Sequence, residues 1–144
     1  SFSGCYRRYH APLCRTIFLG EVSDEKRRAE AALIESLDAG IAAAIAGSKV
    51  SDVAKALAGP LGHGDDNGNG FGGLIGVAYP PRMEDEVISL NTNSEAVLEP
   101  NMTFYVCPTL SVSGANVGIG QSIRISEDGA PEVFGGVSPK FATK

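Results

Sequence analysis

Between residues 23 and 46 the large apolar side chains fall at helical spacing, with Leu33, Ile34, Leu37, Ile41 and Ile45 recurring every three or four positions. The pattern predicts a helix over this stretch. Ser23 is placed to cap it, and Asp24 and Glu25 put negative charge at its positive end. Gly47 is expected to close it. Gly40 reads as a weak point inside it, costing on the order of 1 kcal/mol relative to alanine. A second, shorter helix is predicted from a capping Ser51, with Val53, Leu57 and the neighbouring alanines as its apolar side and Gly59-Pro60 as its stop.

Elsewhere the spacing is that of strands. Residues 5–9 and 15–19 are predicted as strands interrupted by Ala11-Pro12, and Gly20 closes the unit. Pro12 has no N–H, which points to an edge or a bend. Further strands are predicted over 74–79, 102–106, 110–112 and 121–125. Pro80-Pro81, Glu99-Pro100-Asn101, Ser113-Gly114 and Asp128-Gly129 are the turns between them. Residues 62–73 form a Gly/Asn/Asp-rich loop whose one large apolar side chain is Phe71. Two strands, two helices and then strands alone give an α+β class, with no internal repeat.

Composition narrows the function. A length of 144 residues suits one domain with a real core. A hydrophobic content of 43% and a charged content of 20% are those of a globular chain. A net charge of -5 argues against a nucleic-acid partner or an acidic membrane surface. Arg7-Arg8 and Lys26-Arg27-Arg28 are short and mixed with acids, as solvated faces are. No apolar run has the length of a membrane span, and no secretory signal begins at Ser1. The three cysteines, Cys5, Cys14 and Cys107, are odd in number and lack metal-type spacing. A cytoplasmic chain with reduced thiols is the expectation.

Several groups of residues invite chemistry. His10 and Cys14 have the same parity, so an unbroken strand would place an imidazole and a thiol on one face. Asp65, Asn67, Asn69 and Gly70 match the start of a calcium loop, but Gly76 stands where the bidentate glutamate belongs. His63 beside it reads as a solvated loop histidine. Gly72, Gly73 and Gly76 precede a strand rather than a helix, unlike a phosphate loop. Arg82 to Glu86 reads as a charged surface turn, and residues 91–94 as an uncharged polar turn. Asn101-Met102-Thr103 fits a glycosylation pattern that matters only in a secreted protein.

Four segments carry a further signal: RYHAPLCRT, IGVAYPP, LEPNMTF and SIRISEDG, in that order along the chain. Together they resemble the creatinase/Xaa-Pro-aminopeptidase, or pita-bread, family over residues 4–133. The GCYRRYHAPLCRT segment is most similar to its ectoine-hydrolase branch. The resemblance implies a curved, mostly antiparallel sheet with two helices on one face. It also implies that residues 1–144 form one unit corresponding to the later part of the family's catalytic domain, truncated at the N-terminus.

Metal-dependent members of that family place two aspartates, a histidine and two glutamates around two divalent ions, which generate a hydroxide nucleophile. The resemblance places those positions at Ser1, Pro12, near Gly73, near Cys107, and at Gly120 or Gln121. Only Cys107 among them is a strong ligand, and it is soft. Neither a metal nor any other cofactor is therefore expected. The resulting reading is a diverged domain acting as a binding or assembly module. Its rival is a metal-independent C–N hydrolase acting on a small amino-acid-like ligand, with His10, Cys14, Tyr105, Cys107 and Gln121 as candidate catalytic residues. A missing half would leave a strand edge and an apolar face to cover. A homodimer or a second subunit is expected there, at the strand side bearing Tyr105 and Cys107, near Cys5 and Arg7.

Overall fold

A computed structural model describes residues 1–62, 70–77 and 85–144, with the side chains of 85–87 left undescribed. His63, the calcium-like positions Asp65, Asn67 and Asn69, Pro80-Pro81 and residues 82–84 lie outside the described residues.

The chain opens with a hairpin of β1 (Phe2–Tyr6) and β2 (Tyr9–Leu13), paired antiparallel with Cys5 opposite His10. Arg7 and Arg8 form its two-residue turn, both at positive φ (48° and 71°). This is the backbone that a tight hairpin needs. The sequence reading ran a strand through this turn, because arginine is not a usual turn residue. Pro12 lies inside β2, opposite Ser3, and its carbonyl accepts the Ser122 hydroxyl at 2.7 Å. β3 shrinks to Ile17–Phe18 and pairs in parallel with β11 (Ala142–Thr143) near the end of the chain.

Helix α1 runs over Asp24–Ala43 and is capped by Ser23, whose hydroxyl accepts from the Lys26 N–H. It stops before Gly47, with Ala44 at its C-cap. Helix α2 spans Val50–Leu61 and starts after Lys49 rather than at Ser51, which is buried in its first turn. Gly62, at φ 72°, ends it, and Pro60 sits in its last turn. Gly40 has a packing reason. A Cβ there would overlap the Leu57 side chain of α2, so the glycine lets the two helices approach. The Ser36 hydroxyl donates to the Leu57 carbonyl across the same contact at 2.6 Å.

The main sheet has five strands in the order β10-β9-β6-β4-β5, all antiparallel. They are β4 (Gly72–Leu74), β5 (Asp85–Ser89), β6 (Thr103–Val106), β9 (Gln121–Arg124) and β10 (Glu132–Val133). β7 (Thr109–Val112) and β8 (Ala115–Gly118) form a separate hairpin. β8 was not predicted from the sequence. Ser113 and Gly114 make its turn at positive φ, as the sequence reading expects of a turn there. β6 meets β9 with Val106 opposite Gln121, and β7 meets β8 with Thr109 opposite Gly118. The same register therefore runs through both pairs, and it places Cys107 opposite Gly120. The Ile119 N–H, bonded to the Pro108 carbonyl at 3.3 Å, bridges the two halves of this bent ribbon.

One face of the sheet packs on the helices. Phe104, Val106 and Ile123 from that face join Leu33, Val53 and Leu57 in a single apolar cluster, each no more than 1% exposed. The architecture is the α+β arrangement expected, with mostly antiparallel strands and two helices.

Candidate functional site

The site lies on the other face. Successive residues of a strand point to opposite sides. Phe104 and Val106 point to the helices, so Tyr105 points away, together with its cross-strand partners Gly73 and Ser122. One step further, Cys107 and Gly120 face each other on this side. Cys14 follows β2 and forms an antiparallel bridge with Gly120, its N–H bonding the Gly120 carbonyl at 3.1 Å. Cys14 and Cys107 thus flank Gly120 from opposite sides.

Gly120 has a steric reason. A Cβ there would overlap the Tyr105 hydroxyl and ring, which lie over the bare backbone. The Cys14 thiol is set to donate to the Gly118 carbonyl at 3.9 Å, and the Cys107, Ser1 and Tyr105 side chains lie near enough to act on its ionisation. Cys107 is the largest of these influences, and it outweighs burial to lower the Cys14 thiol from 9.0 to about 5. Tyr105 moves the other way. Burial, then the charge of Cys107, holds its phenol protonated well above the usual range. A thiol that its neighbours, against burial, leave easily ionised and a phenol held protonated therefore lie near one another.

Arg15 supports this point from behind. Its guanidinium donates to the carbonyls of Cys14 (2.8 Å), Gly120 (2.6 Å), Val137 (2.7 Å) and Ser138 (2.8 Å) and to Gln121 Oε1 (2.7 Å). Burial lowers its pKa, and negative charge on Cys14, Tyr105 and Cys107 opposes that shift. The sequence reading did not single out Arg15, although it stands in the RYHAPLCRT segment beside Cys14. Ser1 was considered there only as a ligand position.

The five candidate residues separate. Cys14, Tyr105 and Cys107 come together. Gln121 does not join them. It lies opposite Val106, on the other face from Tyr105, and is held by Arg15 while its amide donates to the Phe134 carbonyl. His10 does not reach Cys14, because four residues of extended β2 separate the two by about 13 Å. The hairpin instead sets its Nε2 3.7 Å from Cys5 Sγ and its Nδ1 3.3 Å from Ser3 Oγ. The turn at Arg7-Arg8, unrecognised in the sequence, is what exchanges Cys14 for Cys5 as the partner of His10.

Beside this hairpin is an open cleft of about 480 Å³, lined by Cys5, Tyr6, Tyr9, His10, Thr103 and Phe134 among others. Its walls are mostly apolar and its volume suits a small molecule. Among the described residues, no group of three or more His, Cys, Asp or Glu side chains could hold a metal ion. No described helix is long and apolar enough to cross a membrane.

A two-helix, mostly antiparallel α+β scaffold of this kind is that of pita-bread proteins. The chain belongs to metallopeptidase family M24, whose model matches residues 1–130. It is similar to the ectoine hydrolase of Halomonas elongata, with 40% identity over 129 residues, covering 88% of this chain and 32% of that protein. It is 29% identical over 128 residues to an uncharacterized hydrolase/peptidase of Sinorhizobium fredii, covering 88% of this chain and 33% of that one. Among solved structures, an X-Pro aminopeptidase from Thermotoga maritima superposes with a TM-score of 0.84 at 19% identity, over 99% of this chain and 40% of that one. The chain spans about a third of the length of the curated relatives it matches.

Proposed function

We propose that this chain is part of a metal-independent hydrolase of C–N bonds acting on a small amino-acid-like substrate. The observation that carries the reading is the Cys14–Cys107–Tyr105 cluster over Gly120. Side chains at positions 107 and 120 would meet at this point, where the family resemblance places one metal-binding carboxylate near 107 and a second at 120 or 121. Here those positions hold a thiol and no side chain, and the Tyr105 phenol occupies the space above Gly120. At the other resemblance positions Pro12 offers only a carbonyl, already bonded to Ser122, Gly73 has no side chain and Ser1 is a weak donor. Two hard divalent ions need several carboxylate or imidazole ligands, and this donor set does not fit them.

The residues present suit a different division of labour. Cys14 as thiolate is a nucleophile for an electrophilic amide or amidine carbon. Tyr105, held protonated, donates a hydrogen bond to charge developing on the substrate. The apolar cleft lies apart from these three side chains, against the first hairpin and Thr103, and is the seat available for the rest of a substrate. The 40% identity to a protein named ectoine hydrolase supports C–N hydrolysis over other chemistry. The test is an assay of the intact native gene product on cyclic amidines and N-acyl amino acids. The expected result is turnover that a chelator leaves unchanged and that Cys14→Ala abolishes. Absence of turnover by the intact product, or turnover that the chelator removes, would overturn the reading.

A binding or assembly role is the second reading, and one observation favours it. Phe2, Tyr6 and Tyr9 on the first hairpin are 65%, 73% and 62% exposed, while Tyr105, expected at the interface, is buried. Exposed apolar side chains grouped on one element suit a second copy or a second subunit. Light scattering at micromolar concentration tests it. A monodisperse monomer with no partner from its native extract would remove its support.

A further inference from the structure

The hairpin register that separates His10 from Cys14 builds a second constellation around Cys5. The His10 N–H turns outward to the Gly76 carbonyl at 3.1 Å, so Cys5 and His10 face each other as a pair that exchanges no backbone hydrogen bonds. Such pairs bring their side chains closest, with Cα atoms about 4.5 Å apart. Cys5 Sγ accordingly lies 3.7 Å from His10 Nε2, and His10 Nδ1 lies 3.3 Å from Ser3 Oγ. The Ser3 hydroxyl donates its one proton to the Gly4 carbonyl at 3.2 Å. Its oxygen is therefore left to accept from Nδ1–H, which leaves Nε2 of the neutral ring bare and beside the Cys5 thiol. A nucleophile, its base and the group that orients the base stand in sequence.

These groups open onto the apolar cleft. Cys5 and His10 are both in its walls, with Tyr6, Tyr9, Ile75 and Phe134 around them. Cys5 is exposed, so its thiol can be reached from solvent. The described lining residues include no Asp, Glu, Lys or Arg, which favours an uncharged aliphatic or aromatic group. Two donors of the wall are already engaged, the His10 N–H with Gly76 and the Thr103 hydroxyl with the Ile75 carbonyl at 2.6 Å. Neither is available to hold an oxyanion, so the electrophile must arrive activated, with a leaving group that departs readily. A thioester meets both conditions and an amide meets neither. We propose that Cys5, with His10 as its base, is an acceptor site for a small apolar acyl group delivered as a thioester. The Cys5 thiol passes its proton to His10 Nε2 as the sulfur attacks the acyl carbon. A new S–C bond forms, the S–C bond of the donor breaks, and the proton leaves on the departing thiol. The exchange consumes neither oxidant nor reductant.

The proposal does not rest on the hydrolase reading, because Cys14 and Tyr105 are not in the walls of this cleft and the readout is a covalent adduct rather than turnover. The experiment treats the reduced, intact native gene product with the phenylacetyl thioester of N-acetylcysteamine and, in parallel, with the acetyl thioester. Peptide mass follows the adduct at each cysteine, and each rate is divided by the rate at the same cysteine in the denaturant-unfolded chain. With the phenylacetyl probe that ratio at Cys5 should be about tenfold or more. It should fall markedly with the acetyl probe, which does not fill the cleft. His10→Ala should slow acylation of Cys5 about tenfold or more and leave the rates at Cys14 and Cys107 unchanged. Acylation of Cys5 no faster than in the unfolded chain, equal ratios for the two probes, or a His10→Ala rate equal to that of the wild type would each overturn the proposal. Should His10→Ala fail to fold, the two wild-type comparisons still decide.

Discussion

The two faces of the β6–β9 pair are built from alternate residues of the same strands, yet they follow different rules. Toward the helices, Phe104, Val106 and Ile123 are interchangeable in kind: apolar, fully buried and packed into one cluster. Away from them, Tyr105, Ser122, Cys107 and Gly120 are each specific in what they touch. The first face obtains its stability from area removed from water, the second its character from a few polar contacts. Substitutions should separate the two, with stability falling on one side and reactivity shifting on the other.

The largest expected effect is on the helix face. Phe104→Ala removes a fully buried ring at the centre of the core and should cost about 3–5 kcal/mol in denaturant unfolding. A loss below about 1 kcal/mol would mean that the ring is not part of a close-packed interior. A glycine that a methyl group would disturb stands on each side, Gly40 in helix α1 and Gly120 in the site. At Gly40 the better helix propensity of alanine, about 1 kcal/mol, opposes an overlap with the buried Leu57. Overpacking costs about 1–3 kcal/mol, so Gly40→Ala should still be net destabilising, by up to about 2 kcal/mol. A rise in Tm would show that Leu57 yields easily. Gly120→Ala pushes instead against Tyr105, whose far end borders the site rather than the core. It should cost about 1 kcal/mol in stability and change the reactivity of Cys14, which Gly40→Ala should leave alone.

The helix face was readable from the sequence and the other face only in part, for a physical reason. Leu33, Leu37, Val53 and Leu57 announce their burial through a 3.6-residue period that depends on local geometry alone. Ser23 announces the helix start through its own hydrogen-bonding capacity. The site depends on register between distant segments. Cys14 meets Cys107 only because Gly120 pairs with both neighbours, and no local pattern encodes that. Gly40 looked like a flaw because its reason, Leu57, sits on the other helix. The sequence reading paired His10 with Cys14 because parity was visible, while the turn that pairs His10 with Cys5 rests on two arginines at positive φ. Family likeness supplied what periodicity could not, the gathering of positions 107 and 120 at one place.

The smallest effect on stability should come with the clearest effect on chemistry. Tyr105→Phe keeps the ring and removes one hydroxyl, so its cost should be about 1 kcal/mol. That hydroxyl is one of the smaller influences that lower the Cys14 thiol's pKa. Cys14 lies at about 5 in the folded chain against 9.0 when unperturbed, so its thiolate is populated throughout the neutral range. A depressed folded value favours the folded state most above pH 9, and this contribution fades as the pH falls toward 5. In the wild type, Cys14 alkylation by iodoacetamide should therefore be nearly independent of pH between 7 and 9, with its midpoint near 5. Tyr105→Phe should move that midpoint upward while the thermal midpoint falls only slightly. Cys107→Ser should move it further, because the bond with Cys107 is the largest of the influences that lower it. Alkylation of wild-type Cys14 that rises tenfold per pH unit up to 9 would show an ordinary thiol. The contrast between the two faces would then reduce to one of packing alone.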